Sequence, residues 1–191
     1  MPTDASRVPV GPLWLHEIKH DGYRLLVRKA YDQVRIYTRR GADWTHRFPA
    51  IVRAAASLRV KSLYLDGEGV WCRSDGVAVF EELHNQENDD TVFLYAFDML
   101  EIDGEDLRST PLEQRKMRLR KLLTNRKLGI VYNEHLQGDG AAIFQHACDQ
   151  GLEGIVSKRR DMAYRSGRVK SWLKIKNPNS PAMLRVDEGT F

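Results

Sequence analysis

Hydrophobic residues along the chain recur either at the three- and four-residue steps of a helix or in the short runs of a strand. Apolar residues recur at three- and four-residue steps from Phe48 to Leu58, and again among the leucines of residues 112–123, as expected for amphipathic helices. A third helix is predicted at residues 141–150, and Gly151 is expected to end it at the C-cap position. Short β-type runs between these segments predict strands at residues 24–30, 34–38, 62–71, 77–80, 91–100, 130–134, 154–158 and 172–176.

Short turns between neighbouring strands indicate the fold class. Residues 31–33 and 74–76 each join two predicted strands, which predicts two hairpins. Many short strands with hairpins and three helices favour an α+β domain with largely antiparallel sheets over a doubly wound parallel sheet. Residues 1–13 show no periodicity and contain several prolines, so we expect an extended lead-in. The length of 191 residues fits one compact unit.

The helix that follows residue 109 carries a start signal and a basic run. Thr110 is predicted to cap it, Pro111 to occupy its first position and Glu113 to complete a capping box. Its basic residues are expected to face mostly outward, either as a solvated surface or as a contact for DNA; they are Arg115, Lys116, Arg118, Arg120 and Lys121.

Composition and charge narrow the class of protein only slightly. The formal net charge of +4 fits nucleic acid or nucleotide phosphates, but also many proteins that bind neither. Cys72 and Cys148 are the only cysteines, and no clustered His/Cys spacing suggests zinc. No apolar run approaches the ~20 residues of a membrane-spanning helix, and the first residues lack the apolar core of a signal peptide. We therefore expect no membrane partner and a cytoplasmic protein, nucleoid-associated if it binds DNA.

One lysine near the start of the chain has unusual neighbours. Residues 17–24 are Glu-Ile-Lys-His-Asp-Gly-Tyr-Arg, which puts Lys19 between two carboxylates and just before Gly22. Glycine lets the backbone turn or approach a ligand closely, so the bend can aim Lys19 into a pocket, although a solvated turn is the alternative. Because lysine attacks only as the neutral amine, and burial or nearby cations lower its pKa from about 10.4, we expect further cations to converge on Lys19.

Two later stretches place like charges on one face of a strand. Side chains alternate along a strand, so Asp66 and Glu68 share a face and suit Mg²⁺ or ribose hydroxyls, or else form a solvated edge. Lys174 and Lys176 share a face in the same way, and two neighbouring ammonium groups need an anion between them or full solvation. A triphosphate would supply that anion.

Taken in order, six stretches resemble the motifs of the nucleotidyltransferase domain shared by ATP-dependent DNA ligases, RNA ligases and mRNA capping enzymes. The sequence is most similar to bacterial ATP-dependent DNA ligases of the end-joining type, from about residue 14 to residue 177. Residues 19–24 resemble the Lys-x-Asp-Gly-x-Arg nucleophile motif, and the remaining motifs are matched by residues 38–41, 66–68, 95–98, 153–158 and 172–176.

This resemblance implies a nucleotidyltransferase (ATP-grasp-like) adenylation domain at residues 14–177, with two mainly antiparallel β-sheets flanked by helices. It also implies that Lys19 attacks the α-phosphorus of ATP, expels pyrophosphate and carries AMP covalently as lysyl-AMP. The reaction would serve DNA nick sealing or end joining in repair. ATP and Mg²⁺ are the implied cofactors, and nicked or broken duplex DNA is the implied partner.

The resemblance further implies which residues bind the nucleoside. Glu17 and the backbone at Ile18 would contact the adenine edge. Phe97 would stack on the face of the base, although by its sequence context alone it also fits a core position. Arg24 and Arg39 would contact the ribose or the 5′-phosphate of a nicked strand.

Charged residues of the later motifs would bind the phosphates and the metal ion. The resemblance implies that Lys158, Lys174 and Lys176 neutralise the charge that develops on the phosphate oxygens. Glu68 and Glu153 would hold the ribose and Mg²⁺.

The end of the chain departs from this family. Only 15 residues follow Lys176, too few for the OB-fold that carries the sixth motif, so residues 178–191 are expected to be a C-terminal tail with the OB-fold domain absent. A separate OB-fold or end-joining protein would then be a partner. An RNA ligase, an mRNA-capping-type nucleotidyltransferase and a non-catalytic nick-binding module stay open as alternatives, but the complete set of matching lysines and glutamates favours an enzyme.

Overall fold

The computed structural model describes residues 1–73, 78–86, 89–124 and 129–188, and the chain divides into two compact units. Met1–His20 and Glu134–Phe191 form the first unit, and Asp21–Asn133 forms the second. The chain length had suggested a single unit. The predicted turn at residues 74–76 and residue 77 lie outside the described residues. The strand predicted at residues 77–80 was wrong, because Ala78 forms only an isolated bridge with Cys72 and a short helix begins at Phe80.

A five-stranded sheet forms the centre of the first unit. The strands of this sheet are β1 (Pro2–Asp4), β2 (Trp14–Ile18), β9 (His135–Leu136), β10 (Gly154–Arg159) and β11 (Val169–Lys176). Their spatial order is β1-β11-β10-β2-β9, and every neighbouring pair is antiparallel except β1 with β11. Two helices complete the unit: α4 (Gly140–Asp149), which packs on Ile155 and Ile175, and α5 (Pro181–Glu188).

The second unit contains the larger core and a six-stranded sheet. Its strands are β3 (Tyr23–Ala30), β4 (Gln33–Thr38), β5 (Ser62–Val70), β6 (Phe93–Ile102), β7 (Glu105–Asp106) and β8 (Ile130–Tyr132). Strands β4-β3-β5-β6-β7 are antiparallel neighbours, while β8 pairs with β6 in parallel. The helical segments are a 3-10 turn (Thr45–Arg47), α1 (Pro49–Ala56), α2 (Phe80–His84) and α3 (Leu112–Leu123).

Helices α1 and α3 cover this sheet with the apolar stripes predicted from their sequences. Ile51 and Ala55 of α1 are completely buried, as are Leu112 and Leu119 of α3. Burying such side chains removes apolar surface from water, which is the main driving force for packing a helix on a sheet. The predicted α+β class with two mainly antiparallel sheets is confirmed.

Three further local expectations were wrong or incomplete. Helix α3 begins at Leu112, and Thr110 does not cap it, because the Thr110 hydroxyl donates to the carbonyl of Leu107 at 2.6 Å. Arg115 and Lys116 do not face outward; both are fully buried. Part of the lead-in forms β1, a three-residue strand too short to produce a periodic pattern.

The predicted C-terminal tail contains α5, and residues 189–191 lie beyond the described part of the chain. None of the helices in the described ranges is long and apolar enough to span a membrane.

Candidate active site

Lys19 directly follows β2, and both its backbone and its side chain are held by residues at the start of β10. Its N–H donates to the carbonyl of Gly154 at 2.9 Å, and its ammonium forms an ion pair with the Glu153 carboxylate. The Lys19 side chain is 21% exposed and that of Glu153 is 10% exposed. The candidate nucleophile is thus largely shielded from water and in contact with a carboxylate.

Two glycines allow close backbone approaches near these motif residues. Gly154 has φ +134°, and a Cβ there would lie 2.1 Å from the carbonyl oxygen of Ile175. Within the second unit, a Cβ on Gly22 would lie 2.2 Å from the carbonyl oxygen of Gly69. Any side chain at either position would force the backbone to move, which explains why glycine occupies both.

The register of the five-stranded sheet brings four predicted site residues onto one face. Val156 of β10 pairs with Glu17 of β2 on one side and with Lys174 of β11 on the other. Lys158 lies two residues after Val156, and Lys176 lies two residues after Lys174. Because directly paired residues point to the same face and side chains alternate along a strand, Glu17, Lys158, Lys174 and Lys176 share a face.

On this face, Glu17 and Lys158 form a buried ion pair. The Lys158 Nζ lies 2.7 Å from the Glu17 Oε2, and the two side chains are 2% and 1% exposed. The ammonium also lies 4.1 Å from the ring centre of Trp172, the residue opposite Lys158 in the sheet. Each charge is therefore compensated within the protein, as burial of charged groups requires. The resemblance had implied separate contacts for these residues, Glu17 to adenine and Lys158 to phosphate.

Lys174 also has a carboxylate partner. Its Nζ lies 3.2 Å from Oδ1 of Asp4, which β1 brings beside β11. The Asp4 side chain is 60% exposed, so water screens this ion pair strongly. Sequence reasoning missed Asp4, because nothing in residues 1–13 indicated a strand.

The opposite face of the same sheet carries a buried polar pair. His16 and Ser157 face each other across β2 and β10, and the His16 Nδ1 lies 2.8 Å from the Ser157 hydroxyl. Burial lowers the pKa of His16 from its ordinary value of 6.5, and the negative charge of Asp139 opposes part of that shift. Since both side chains are completely shielded from solvent, this pair supports the sheet rather than a reaction.

In the second unit, Arg24 connects two of the predicted motifs. It donates from Nε to Oδ1 of Asp66 (2.9 Å) and from Nη2 to Oδ2 (2.6 Å), and Asp66 is completely buried. The Arg24 guanidinium carbon also lies 5.6 Å from the ring centre of Phe97, within cation–π range. Arg24, Asp66 and Phe97 are thereby brought together.

The remaining predicted residues of this unit are less closely grouped. Glu68 is half-buried and lies opposite Arg24 in the β3–β5 register. Because the Arg24 side chain also binds Asp66, Asp66 and Glu68 share a face. Arg39 is exposed in the turn that follows β4, where Gly41 N–H donates to the Thr38 carbonyl at 2.9 Å. Within the described ranges, no three His, Cys, Asp or Glu side chains are grouped closely enough to hold a metal ion.

Two buried cations of α3 were missed as candidates. The Lys116 Nζ donates to the carbonyl of Phe97, and Arg115 forms a bidentate ion pair with Asp98, the residue after Phe97. Both belong to a basic run in which burial cannot be told from exposure by residue type alone. Phe97 itself is only partly buried.

The sequence matches a known family over most of its length. Residues 9–176 match the family described as the ATP dependent DNA ligase domain. The chain is 38% identical over 167 residues to the multifunctional non-homologous end joining protein LigD of Pseudomonas aeruginosa, covering 85% of this chain and 20% of that protein. It is 39% identical over 181 residues to the multifunctional non-homologous end joining DNA repair protein LigD of Mycobacterium tuberculosis, covering 92% of this chain and 24% of that protein.

Solved structures agree with this assignment. The fold matches the ligase domain of Mycobacterium tuberculosis LigD with a TM-score of 0.76 at 38% identity, covering 85% of this chain and 54% of that one. It also matches a mycobacterial DNA ligase D complexed with ATP and MES, with a TM-score of 0.78 at 37% identity, covering 92% of this chain and 59% of that one. The chain spans only about a fifth to a quarter of the length of the LigD proteins it matches. On the strength of the match over residues 9–176, the chain belongs to the ATP-dependent DNA ligase domain family.

Proposed function

We propose that residues 14–177 are the adenylation domain of an end-joining DNA ligase and that Lys19 carries AMP as a covalent lysyl-AMP. The observation that carries this proposal is the position of Lys19: shielded, paired with Glu153, and next to a sheet face that bears Lys174 and Lys176. Family membership supports ATP as the nucleotide, and the related DNA ligase D was solved in complex with ATP.

In the proposed reaction, the Lys19 amine bonds to the α-phosphorus of ATP while the bond to the pyrophosphate oxygen breaks. The amine must lose a proton to attack, and the Glu153 carboxylate that contacts it is in position to accept that proton. Lys174 and Lys176 would stabilise the negative charge that moves onto the leaving pyrophosphate. Positive groups held in advance by a sheet need little reorganisation during the reaction.

Carboxylates are the ligands that Mg²⁺ prefers, so Glu68 and Glu153 fit the ion chemically. Glu153 is nearly buried and Glu68 is half-buried, so both carboxylates are partly shielded from water. From the family motifs, each is proposed as a ligand of the ion, which would supply further positive charge to the phosphates.

The proposed contacts to the nucleoside follow the family motifs. Glu17 and the Ile18 backbone would contact the adenine edge, and Phe97 would stack on the base. Arg24 and Arg39 would bind the ribose or a 5′-phosphate. The Arg24 guanidinium beside the Phe97 ring supports a role for both in one binding region of the second unit.

The physiological substrate would be nicked or broken duplex DNA, because the relatives are named for end joining. We propose that an OB-fold or end-joining partner, on this or another polypeptide, completes sealing. Action on chromosomal breaks would place the protein in the cytoplasm, at the nucleoid.

Intact-mass measurement tests the proposal directly. Incubation with ATP and Mg²⁺ should add the mass of one AMP, and Lys19→Ala should abolish the gain. Lys61→Ala removes an exposed lysine outside the motifs and should leave the gain unchanged. A gain with GTP but not with ATP would instead indicate a capping-type enzyme, and no gain with either nucleotide would contradict the proposal.

A further inference from the structure

Phe97 lies where β6 departs from regular pairing with β5. Asp66 pairs with Asp98 and Gly67 pairs with Ala96, so the register passes over Phe97. Such a β-bulge breaks the alternation of side chains and disrupts the hydrogen-bond ladder locally. The direction of the Phe97 ring therefore depends on what stabilises this bulge.

A buried ammonium contacts the backbone at the bulge. The Lys116 Nζ donates to the carbonyl of Phe97 at 3.4 Å and to the carbonyl of Asn133 at 3.1 Å. It also lies 4.7 Å from the ring centre of Tyr132. Lys116 is 1% exposed, so a cation shielded from water joins the bulge of β6 to the chain just beyond β8.

The residue after Phe97 is fixed from the same turn of α3. Arg115 donates from Nε to Oδ1 of Asp98 (2.7 Å) and from Nη2 to Oδ2 (2.9 Å), and both side chains are completely buried. On the other side, the N–H of Asn133 donates to the carbonyl of Ala96 at 2.8 Å. The strand is thus held through its backbone before and at the bulged residue, and through the Asp98 side chain after it.

Removing an ammonium from water is unfavourable unless polar groups replace the water. Two carbonyl oxygens and an aromatic face do so for Lys116. An apolar residue could fill the same buried position of α3 without desolvating a charge. A role for the charge itself therefore explains the lysine better than space filling does.

We infer that Lys116 is a positioning residue for the nucleotide: its ammonium stabilises the bulge and so aims the Phe97 ring for stacking on adenine. This inference rests on the proposed function, because it takes Phe97 as the stacking residue. Lys116 itself would not contact the nucleotide.

The test measures the rate of lysyl-AMP formation against ATP concentration for Lys116→Met. We expect the KM for ATP to rise about fivefold to tenfold, because a misdirected ring would lose part of the binding affinity that a base gains by stacking on it. The maximal rate should change little, because the ring contacts adenine equally before and during phosphoryl transfer. Lys116→Arg keeps a cation with several donors and should restore most of the wild-type KM.

Lys29 provides a matched control in the same unit. It is 6% exposed and donates to the carbonyls of Ala56 and Leu58 at 2.8 and 2.6 Å, beside the end of α1. Lys29→Met removes the same kind of buried cation and should lower stability without changing the KM for ATP. A purely structural role of Lys116 predicts the same result for Lys116→Met.

A Phe97→Ala background separates positioning from a direct effect. Phe97→Ala should itself raise the KM, and Lys116→Met should then add no further increase. An unchanged KM in Lys116→Met, or its full effect without the ring, would overturn the inference while leaving the proposed function intact. Absence of lysyl-AMP in the wild-type protein would overturn both. If Lys116→Met does not fold, Lys116→Gln, which keeps a neutral donor, carries the same expectation.

Discussion

Replacing Arg115 with methionine should destabilise the protein strongly. The Arg115–Asp98 pair is completely buried, with two hydrogen bonds between the side chains and a third from Arg115 to the Thr110 carbonyl. Arg115→Met leaves the Asp98 carboxylate buried without its guanidinium, and breaking such a pair typically costs about 3–5 kcal/mol. For a chain of this size, about 1 kcal/mol corresponds to roughly 2–4 °C in Tm, so we expect a decrease on the order of 6–20 °C.

Urea unfolding followed by circular dichroism measures the change in unfolding free energy. Arg115→Met combined with Asp98→Leu should recover part of the loss, because the second change removes the uncompensated charge. The exposed pair Arg108–Asp106 is the control: it is also bidentate, at 2.6–3.1 Å, and its hydrogen bonds lower the pKa of Asp106 to about 2.

The two pairs differ mainly in burial, since the side chains of Arg108 and Asp106 are 60% and 55% exposed. Arg108→Met should therefore leave the unfolding midpoint almost unchanged, because water screens the exposed pair. Equal effects of Arg108→Met and Arg115→Met would refute the reasoning. So would a double variant no more stable than Arg115→Met alone, because the cost would then not come from the buried carboxylate.

Two further predictions concern the first unit. Lys176→Ala should slow formation of lysyl-AMP more than it weakens ATP binding, because Lys176 is proposed to contact charge that develops only in the transition state. Single-turnover kinetics measures the rate and a binding titration measures the affinity. Equal losses in rate and affinity would contradict that role. Because burial lowers the pKa of His16, the unfolded chain takes up the His16 proton more readily, so stability should decline as pH falls below about 6.5. Between pH 7.5 and pH 5.5, the free energy of unfolding of His16→Asn should fall less than that of the wild type, as measured by parallel unfolding curves. An identical fall would exclude His16 as the cause of the pH dependence.

The sequence alone predicted most of the longer regular elements. The strands β3 and β4 and the apolar stripes of α1 and α3 follow from the period of their apolar residues, because burial on one face imposes that period. The strands β10 and β11 were also predicted, but not their pairing. The strand β1 could not be predicted in this way, since three residues at a sheet edge have no period.

The partners of charged residues were predicted less well. The basic run of α3 suggested a solvated or DNA-binding surface, yet Arg115 and Lys116 are buried, whereas Arg118 forms an exposed ion pair with Glu105. Residue type is the same along this run, and only the position around the helix separates core from solvent. A lysine or arginine can occupy a core position when a carboxylate or carbonyl lies opposite, and that partner is distant in sequence.

Both groups of candidate site residues lie beside interruptions of regular β-structure. Lys19 is hydrogen-bonded to Gly154, whose φ of +134° is open to glycine but strained for other residues, and Phe97 is one of two residues that the β5–β6 register passes over. Regular alternation determines only which of two faces a side chain occupies. A catalytic or binding group needs a more specific direction, which an irregular backbone can provide if nearby groups stabilise it. Motifs therefore nominate the candidate residues, whereas the direction of each side chain depends on contacts such as Lys116 with the Phe97 carbonyl, which no local pattern encodes.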